Sequence, residues 1–161
     1  MFRPALTALL LTAAPAAVQA RDYLVVERAV EVARPADAVW RTAGDACFIG
    51  RMLDIACTLE AGQGDVGSLR RLGPSIVEAI VARTPFSYTY SQPEGPRAGT
   101  DYHGTLQVRE AGAGRSRLVY TLVIDAARLP AGTERSAYRK SLADRFQGAL
   151  EKARTLIEGA R

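Results

Sequence analysis

Residues Thr133–Glu158 read TERSAYRKSLADRFQGALEKARTLIE, and this stretch decides the fold. Its apolar side chains recur at the three- and four-residue spacing of a single helix face. They are Tyr138, Leu142, Phe146, Ala149, Leu150, Ala153, Leu156 and Ile157. Charged side chains fall on the opposite face. About 25 residues with a rise of about 1.5 Å each predict an amphipathic helix roughly 37 Å long, enough to lie across a whole sheet.

The apolar face of this helix needs a partner, and the chain before it, from Leu24 to Asp125, is composed mainly of strand and turn patterns. The strands are predicted at 23–33, 55–60, 66–72, 76–83, 86–91, 102–110 and 117–125. Two short helices are predicted after the first strand, beginning at 35 and at 46. The separators are short and rich in glycine and proline, as in an antiparallel meander. The sequence therefore predicts an α+β fold in which a seven-stranded sheet packs against the terminal helix.

The first twenty residues have the layout of a secretory signal peptide. Arg3 precedes an apolar run from Ala5 to Ala14, and small residues at Val18-Gln19-Ala20 match a cleavage site. The run of about ten residues is too short to cross a bilayer about 30 Å thick. We therefore expect cleavage after Ala20, one mature domain over residues 21–161 without a transmembrane segment, and a periplasmic or secreted location.

The charge pattern does not point to nucleic acid. The chain has 21 Lys and Arg against 17 Asp and Glu, a net charge of +4, which falls to +3 without Arg3. The basic residues are scattered and form no run of five or more. We expect no nucleic-acid partner, and the sequence does not predict an oligomeric state.

Cys47 and Cys57 are the only cysteines. In an exported protein two cysteines this close in sequence favour a disulfide, and closing such a loop stabilises by about 3 kcal/mol. Two buried free thiols are the alternative. A metal site is disfavoured because no CxxC pair and no nearby histidine accompany them. No cofactor or metal is expected.

Several motifs resemble one family in their order and spacing. Residues 30–40 (VEVARPADAVW) and Gly44-Asp45 are similar to the opening of the START/Bet v 1-like (SRPBCC) superfamily, in its polyketide cyclase/dehydrase-like branch. Residues 67–71 (GSLRR), Glu78, Tyr88, Tyr90 and the terminal helix extend the resemblance over nearly the whole mature chain. The resemblance implies a helix-grip fold, in which a curved sheet wraps around the last helix and leaves a hydrophobic cavity. Members bind lipids, sterols and polyketide-like molecules, and a minority are enzymes.

Alternation along the strands predicts which side chains line such a cavity, because residues two apart share a face. The candidate ligand-binding residues are Trp40, Arg71, Glu78, Tyr88, Tyr90, Tyr102, Tyr120 and Phe146. Buried tyrosine hydroxyls need partners, so an interior rich in tyrosine fits a hydrated cavity or a ligand with polar atoms. Ordinary packing with the hydroxyls at the rim is the alternative.

Two charged candidates are predicted to pair. If Gly73-Pro74 is the tip of a tight hairpin, Leu69 lies opposite Glu78, and Arg71 is diagonal to Glu78 on the same face. An Arg71–Glu78 ion pair would reduce the cost of burying the carboxylate. A polar anchor for a ligand is the other interpretation of Glu78.

His103 is the only histidine, and alternation places it on the polar side with Thr105, Gln107 and Arg109. Without an inward histidine, a G-x-S-x-G elbow or a free thiol, no catalytic residue is assigned. The leading hypothesis is an exported module that binds a small hydrophobic or amphipathic molecule. The alternatives are an aromatase/cyclase-type enzyme and a structural or partner-binding domain with no ligand.

Overall fold

Seven strands and three α-helices make up residues 20–160, the part of the chain that the computed structural model describes. The elements are β1 (Tyr23–Val32), α1 (Ala36–Ala43), α2 (Phe48–Leu53), β2 (Cys57–Ala61), β3 (Leu69–Leu72), β4 (Ile76–Thr84), β5 (Ser87–Glu94), β6 (His103–Glu110), β7 (Ser116–Asp125) and α3 (Arg135–Gly159). The predicted signal peptide, residues 1–20, lies outside the described residues except for Ala20.

The strands form one antiparallel sheet in the order β1-β7-β6-β5-β4-β3-β2. Strands β2 to β7 follow one another as a meander, because each connection is short enough for neighbours to pair directly. The first strand then joins the last, and Leu24 of β1 lies opposite Ile124 of β7. The predicted α+β helix-grip fold, with about seven strands and two short helices after the first, is confirmed.

Helix α3 covers the inner face of the sheet and packs mainly along β1. The Glu134 side chain caps its N-terminus by accepting hydrogen bonds from the backbone N–H groups of Ser136 and Ala137. Its buried residues are Leu142, Ala143, Phe146, Ala149, Leu150, Ala153 and Ile157. All of these except Ala143 belong to the apolar face predicted from the sequence. No helix of residues 20–160 is both long and apolar enough to cross a membrane.

The two short helices close one end of the fold. Helix α1 begins directly after Pro35, whose backbone is extended and therefore lies outside the helix. Helix α2 ends at Asp54, which adopts the left-handed conformation with φ 57°. The predicted disulfide is confirmed: Cys47 and Cys57 are bonded and their Cα atoms lie 5.4 Å apart. The bond ties the start of α2 to the start of β2.

The hairpin between β3 and β4 differs from the prediction by one residue. Leu72 lies opposite Ile76, so Gly73, Pro74 and Ser75 form a three-residue connection rather than a two-residue tip. The register therefore places Arg70, not Leu69, opposite Glu78. Because side chains alternate between the two faces of a strand, this single residue exchanges the inward and outward side chains of β3.

Candidate ligand-binding site

A set of polar and aromatic side chains lies on the inner face of the sheet, beneath the α1–α2 turn and α3. We call it the interior polar cluster, and it consists of Arg70, Glu78, Tyr88, Tyr90, Gln92, Tyr102 and Tyr120. Each of these side chains is buried, and strands β3, β4, β5 and β7 and the residue before β6 contribute them. Buried polar groups are costly unless they are hydrogen-bonded, so the partners of each member matter.

Arg70 and Glu78 form a buried ion pair at one end of this cluster. Arg70 Nε donates to Glu78 Oε2 at 2.9 Å, and its Nη2 lies 2.8 Å from the same oxygen. Arg70 Nη1 donates to the backbone carbonyl of Ala46 and to the Tyr88 hydroxyl. Gln92 supports Glu78 from the other side with a longer contact of 3.4 Å to Oε1.

The predicted partner of Glu78, Arg71, faces the other side of the sheet, where it pairs with Glu60. The prediction of an Arg71–Glu78 pair is therefore wrong, because the three-residue connection moves the register by one position. We leave Arg71 out of the site for the same reason: its guanidinium is on the outer, solvent-facing side.

The environment sets the charge states of the pair. Burial raises the pKa of the Glu78 carboxyl, and the hydrogen-bonded Arg70 guanidinium opposes this shift. Burial alone would lower the pKa of Arg70, but the nearby Tyr88, Glu78 and Tyr90 outweigh it and raise that pKa. Arg70 therefore stays charged at any physiological pH.

Three tyrosine hydroxyls meet at the other end of the cluster, and we call them the tyrosine trio: Tyr90, Tyr102 and Tyr120. The Tyr90 hydroxyl oxygen lies 2.6 Å from that of Tyr120 and 3.1 Å from that of Tyr102. Burial raises the pKa of Tyr102 to about 12, and it raises the pKa values of Tyr90 and Tyr120 well above the ordinary value. The three phenols are therefore protonated at neutral pH.

Gly104 makes room for the Tyr90 ring. It lies opposite Tyr90 in the β5–β6 register, and a Cβ at this position would come within 2.4 Å of the Tyr90 ring and hydroxyl. On the helix side, the Phe146 ring stands 4.6 Å from the Tyr120 ring, measured between centroids. The sheet thus holds the trio in one place and α3 covers it.

Trp40 is half-buried at the edge of the interior. The centroid of its ring system lies 6.1 Å from that of the Tyr88 ring. It lines a cleft of about 400 Å³ together with Gly44, Ala46, Leu59 and Arg83, among others. The Arg83 guanidinium lies over the Trp40 and Tyr88 rings and donates to the carbonyls of Gly44 and Gly64, both at 2.8 Å. The aromatic partner of Trp40 is thus a residue of the sheet.

Sequence reasoning missed Arg70 and Arg83. Arg70 faces inward because the three-residue connection between β3 and β4 places it opposite Glu78. Arg83 faces inward because a bulge near Val81 adds a residue to β4 between Ile80, opposite Tyr90, and Arg83, opposite Tyr88. Without the bulge, alternation from Glu78 and Ile80 would send Arg83 outward. No local signal in the sequence marks this bulge.

The space between sheet and helix is filled in this structure. Tyr88, Tyr90, Tyr120 and Phe146 are at most 3% exposed, and Leu106, Leu118, Leu122 and Leu150 are fully buried. A side chain with no accessible surface borders no water-sized space, whether open or enclosed. A ligand therefore reaches the interior polar cluster only if some of the covering groups move.

The remaining predicted features lie outside this interior. His103 is half-exposed on the outer face, where its Nδ1 is 3.1 Å from the Asp101 carbonyl. Phe86 lies in the turn before β5 and is 38% exposed. Within residues 20–160 no three acidic, cysteine or histidine side chains are placed to hold a metal ion.

The comparisons with known proteins agree with this architecture. The sequence profile of the family described as polyketide cyclase/dehydrase and lipid transport matches residues 23–158. The chain belongs to this family. A search among curated proteins found no match.

Solved structures similar to this chain share its fold. A protein from Thermobifida fusca, solved by solution NMR, is 24% identical with a TM-score of 0.67, over 83% of this chain and 95% of its own. An uncharacterised protein from Bacillus thuringiensis is 18% identical with a TM-score of 0.69, over 83% and 98%. The crystal structure of Ara h 8.0201 is 13% identical with a TM-score of 0.64, over 86% and 99%. At these identities the likeness concerns the fold, which is Bet v 1-like.

Proposed function

We propose that this chain is an exported module that binds a small hydrophobic or amphipathic molecule between the sheet and α3. Membership of a family described by polyketide cyclisation and lipid transport supports ligand binding in general. The polar part of the ligand would meet the interior polar cluster, and its apolar part would contact the leucine and phenylalanine side chains of the core.

The observation that carries the proposal is the chemistry of that cluster. A buried ion pair such as Arg70–Glu78 is seldom more stable than apolar residues of similar volume would be. Four buried tyrosine hydroxyls add further groups that need partners. A core needed only for stability has no use for so many polar groups in one place, whereas a binding site uses them to orient a ligand.

Ligand access requires the covering groups to move, and the turn from Gly44 to Cys47 is the part we assign to this movement. Its carbonyls at Gly44 and Ala46 accept hydrogen bonds from Arg83 and from Arg70, whose guanidinium also donates to the Tyr88 hydroxyl. Breaking a few hydrogen bonds to carbonyls is a smaller change than separating α3 from the sheet. The adjacent cleft at Trp40 would then lead to the interior.

The exported location belongs to the proposal. It is supported by the signal-peptide pattern of the first twenty residues and by the Cys47–Cys57 disulfide, since disulfides persist in oxidising compartments.

The experiment is to express the full chain with its own N-terminus in a bacterial host and purify it from the periplasm without detergent. Mass spectrometry of an organic extract should find a hydrophobic molecule bound in near-stoichiometric amount. The protein stripped of that molecule should bind N-phenyl-1-naphthylamine with a rise in probe fluorescence and quenching of Trp40, the only tryptophan. An empty extract together with no probe binding would refute the proposal.

A second candidate is a structural or partner-binding domain without a ligand. The filled interior favours it, because the core side chains within residues 20–160 are almost completely buried. The two candidates differ in one measurement: a ligand-binding module gains thermal stability with the probe, by mass action, and a filled domain does not.

An aromatase/cyclase-type enzyme is the third candidate. Its specific support is Glu78, whose raised pKa would suit a group that moves protons. The protonated tyrosines could hold a substrate oxygen but could not serve as bases at neutral pH.

A further inference from the structure

The tyrosine trio has more protons than hydrogen bonds. Among residues 20–160, two bonds join the three hydroxyls, Tyr90 to Tyr120 and Tyr90 to Tyr102. Each hydroxyl carries one proton to donate. Whichever way the three groups rotate, two bonds use two protons, and one buried O–H is left without an acceptor.

The other end of the cluster has the same surplus of donors. The Tyr88 hydroxyl accepts from Arg70 Nη1 at 3.3 Å, and within the described chain its own proton has no acceptor. Arg70 Nη2 is close to Glu78 but makes no hydrogen bond of good geometry, and it is fully buried. The buried Nε of Arg97, whose guanidinium lies 5.1 Å from the Tyr102 ring centroid, also lacks a partner.

The carboxylate and amide oxygens of the cluster already accept hydrogen bonds. Glu78 accepts from Arg70 and Gln92, and the Gln92 side-chain oxygen accepts from the backbone N–H of Arg97. Arg70 and Glu78 cancel each other's charge, so the fully buried part of the cluster is neutral. An unpaired buried donor costs free energy, which a partner atom would recover.

We propose that the ligand presents a neutral carbonyl oxygen to the interior polar cluster, as a hydrophobic ketone, quinone or ester does. Such an oxygen accepts up to two hydrogen bonds and donates none, which matches a site with spare O–H and N–H groups. A hydroxyl would bring another proton, for which the phenol oxygens are the acceptors left, so it would not reduce the surplus of donors. A hydrocarbon would leave the donors unpaired. This inference rests on the proposed function, because it names the ligand chemistry of the same site.

Three planar probes of nearly equal size separate these cases: 9-fluorenone, with a carbonyl, 9-fluorenol, with a hydroxyl, and fluorene, with neither. Binding to the full-length mature protein is measured by calorimetry or by quenching of Trp40. We expect fluorenone to bind about tenfold more tightly than fluorene, the effect of one well-placed hydrogen bond. Fluorenol should bind more weakly than fluorenone. Fluorene-9-carboxylate, an anion, should also bind more weakly.

The matched variants test whether the trio supplies the donors. Tyr90→Phe/Tyr102→Phe/Tyr120→Phe removes the three hydroxyls and keeps the rings, so the ratio of fluorenone to fluorene affinity should fall toward one. Fluorene affinity itself should change little. Tyr23→Phe is the control, because it removes an exposed hydroxyl that is bonded to Asp101.

The infrared carbonyl stretch of fluorenone bound to the unmodified protein gives an answer that does not depend on how the triple variant folds. Its frequency should fall relative to fluorenone in hexane, as it does when a carbonyl accepts a hydrogen bond. An unshifted stretch would overturn the inference, and so would fluorenol or the carboxylate binding as tightly as fluorenone. If none of these probes binds while N-phenyl-1-naphthylamine does, the inference is overturned. If the extract is empty and N-phenyl-1-naphthylamine also fails to bind, the proposed function itself fails.

Discussion

The two sides of the interior are built from different chemistry, although the same sheet carries both. Along β1 and β7 most inward side chains are hydrocarbons, such as Val26, Leu122 and Ile124, and they share one core with the leucines of α3. Along β3, β4 and β5 most of them carry a charged group, an amide or a hydroxyl, and each such group needs a specific partner. Burial alone stabilises the first region, whereas the second depends on geometry, and this is why the second is the candidate site.

Breaking the Arg70–Glu78 ion pair should give the largest loss of stability and so show most clearly how the two regions differ. Arg70→Met leaves Glu78 buried and uncompensated, and the expected loss of unfolding free energy is about 3 to 5 kcal/mol. Urea denaturation measures it. Arg71→Met is the matched control, since it removes the neighbouring arginine on the outer face and should change the stability little.

The double variant Arg70→Met/Glu78→Leu tests the origin of that loss. It removes both charges, so most of the stability should return. The same loss in Arg70→Met and Arg71→Met would contradict a special role for the buried pair.

In the apolar region a truncation should behave differently. Leu122→Ala removes buried methyl groups and leaves a cavity, so we expect a loss of about 2 to 4 kcal/mol. The conservative Leu122→Met should lose less than about 1.5 kcal/mol, because volume rather than a particular partner matters there. Denaturation curves of the two variants check this. If the Met variant were as unstable as the Ala variant, the apolar region would also depend on specific contacts, and the difference between the two regions would be contradicted.

Gly104 tests how tightly the cluster is packed. Gly104→Ala places a methyl group within 2.4 Å of the Tyr90 ring, and overpacking of this kind costs about 1 to 3 kcal/mol. Gly148→Ala is the control, because apart from its chain neighbours and the backbone of its own helix no atom lies within 4 Å of the new Cβ, and alanine favours the helix. Thermal unfolding should therefore shift down for the first variant and up, or not at all, for the second. Stabilisation by Gly104→Ala would mean that the Tyr90 ring is free to move.

The smallest expected effect concerns the cap of α3. The two backbone N–H groups and the Ser136 side chain that Glu134 accepts from lower the pKa of its carboxyl below the ordinary 4.5. The folded state then binds this proton less tightly than the unfolded state, so the contribution is present above pH 4.5 and disappears as the pH falls through the lowered pKa. Glu134→Gln does not titrate, and the difference between its melting temperatures at pH 7 and pH 3 should be smaller than in the unmodified protein. Equal differences would exclude this contribution.

Periodicity and turn residues were sufficient for the fold, because each element has a strong pattern of its own. The inward direction of the tyrosines could also be predicted, since Tyr88 and Tyr90 lie two apart in one strand. The arginines could not. Whether Arg70 or Arg71 faces inward depends on one residue in the Gly73–Ser75 connection, and the inward direction of Arg83 depends on the bulge near Val81. Such shifts of register are decided by contacts between strands, which no single stretch of sequence contains.

The connection at Gly73, Pro74 and Ser75 has a consequence for how this protein tolerates insertions and deletions. Surface turns usually accept a change of length, but here the loss of one residue could exchange the two faces of β3. Leu69 and Arg71 would then turn inward and Arg70 and Leu72 outward, so that one arginine would still face inward but would lie diagonal to Glu78 instead of opposite it. Relatives that differ in length at this turn should therefore differ in what they bind, even where every side chain of the site is the same.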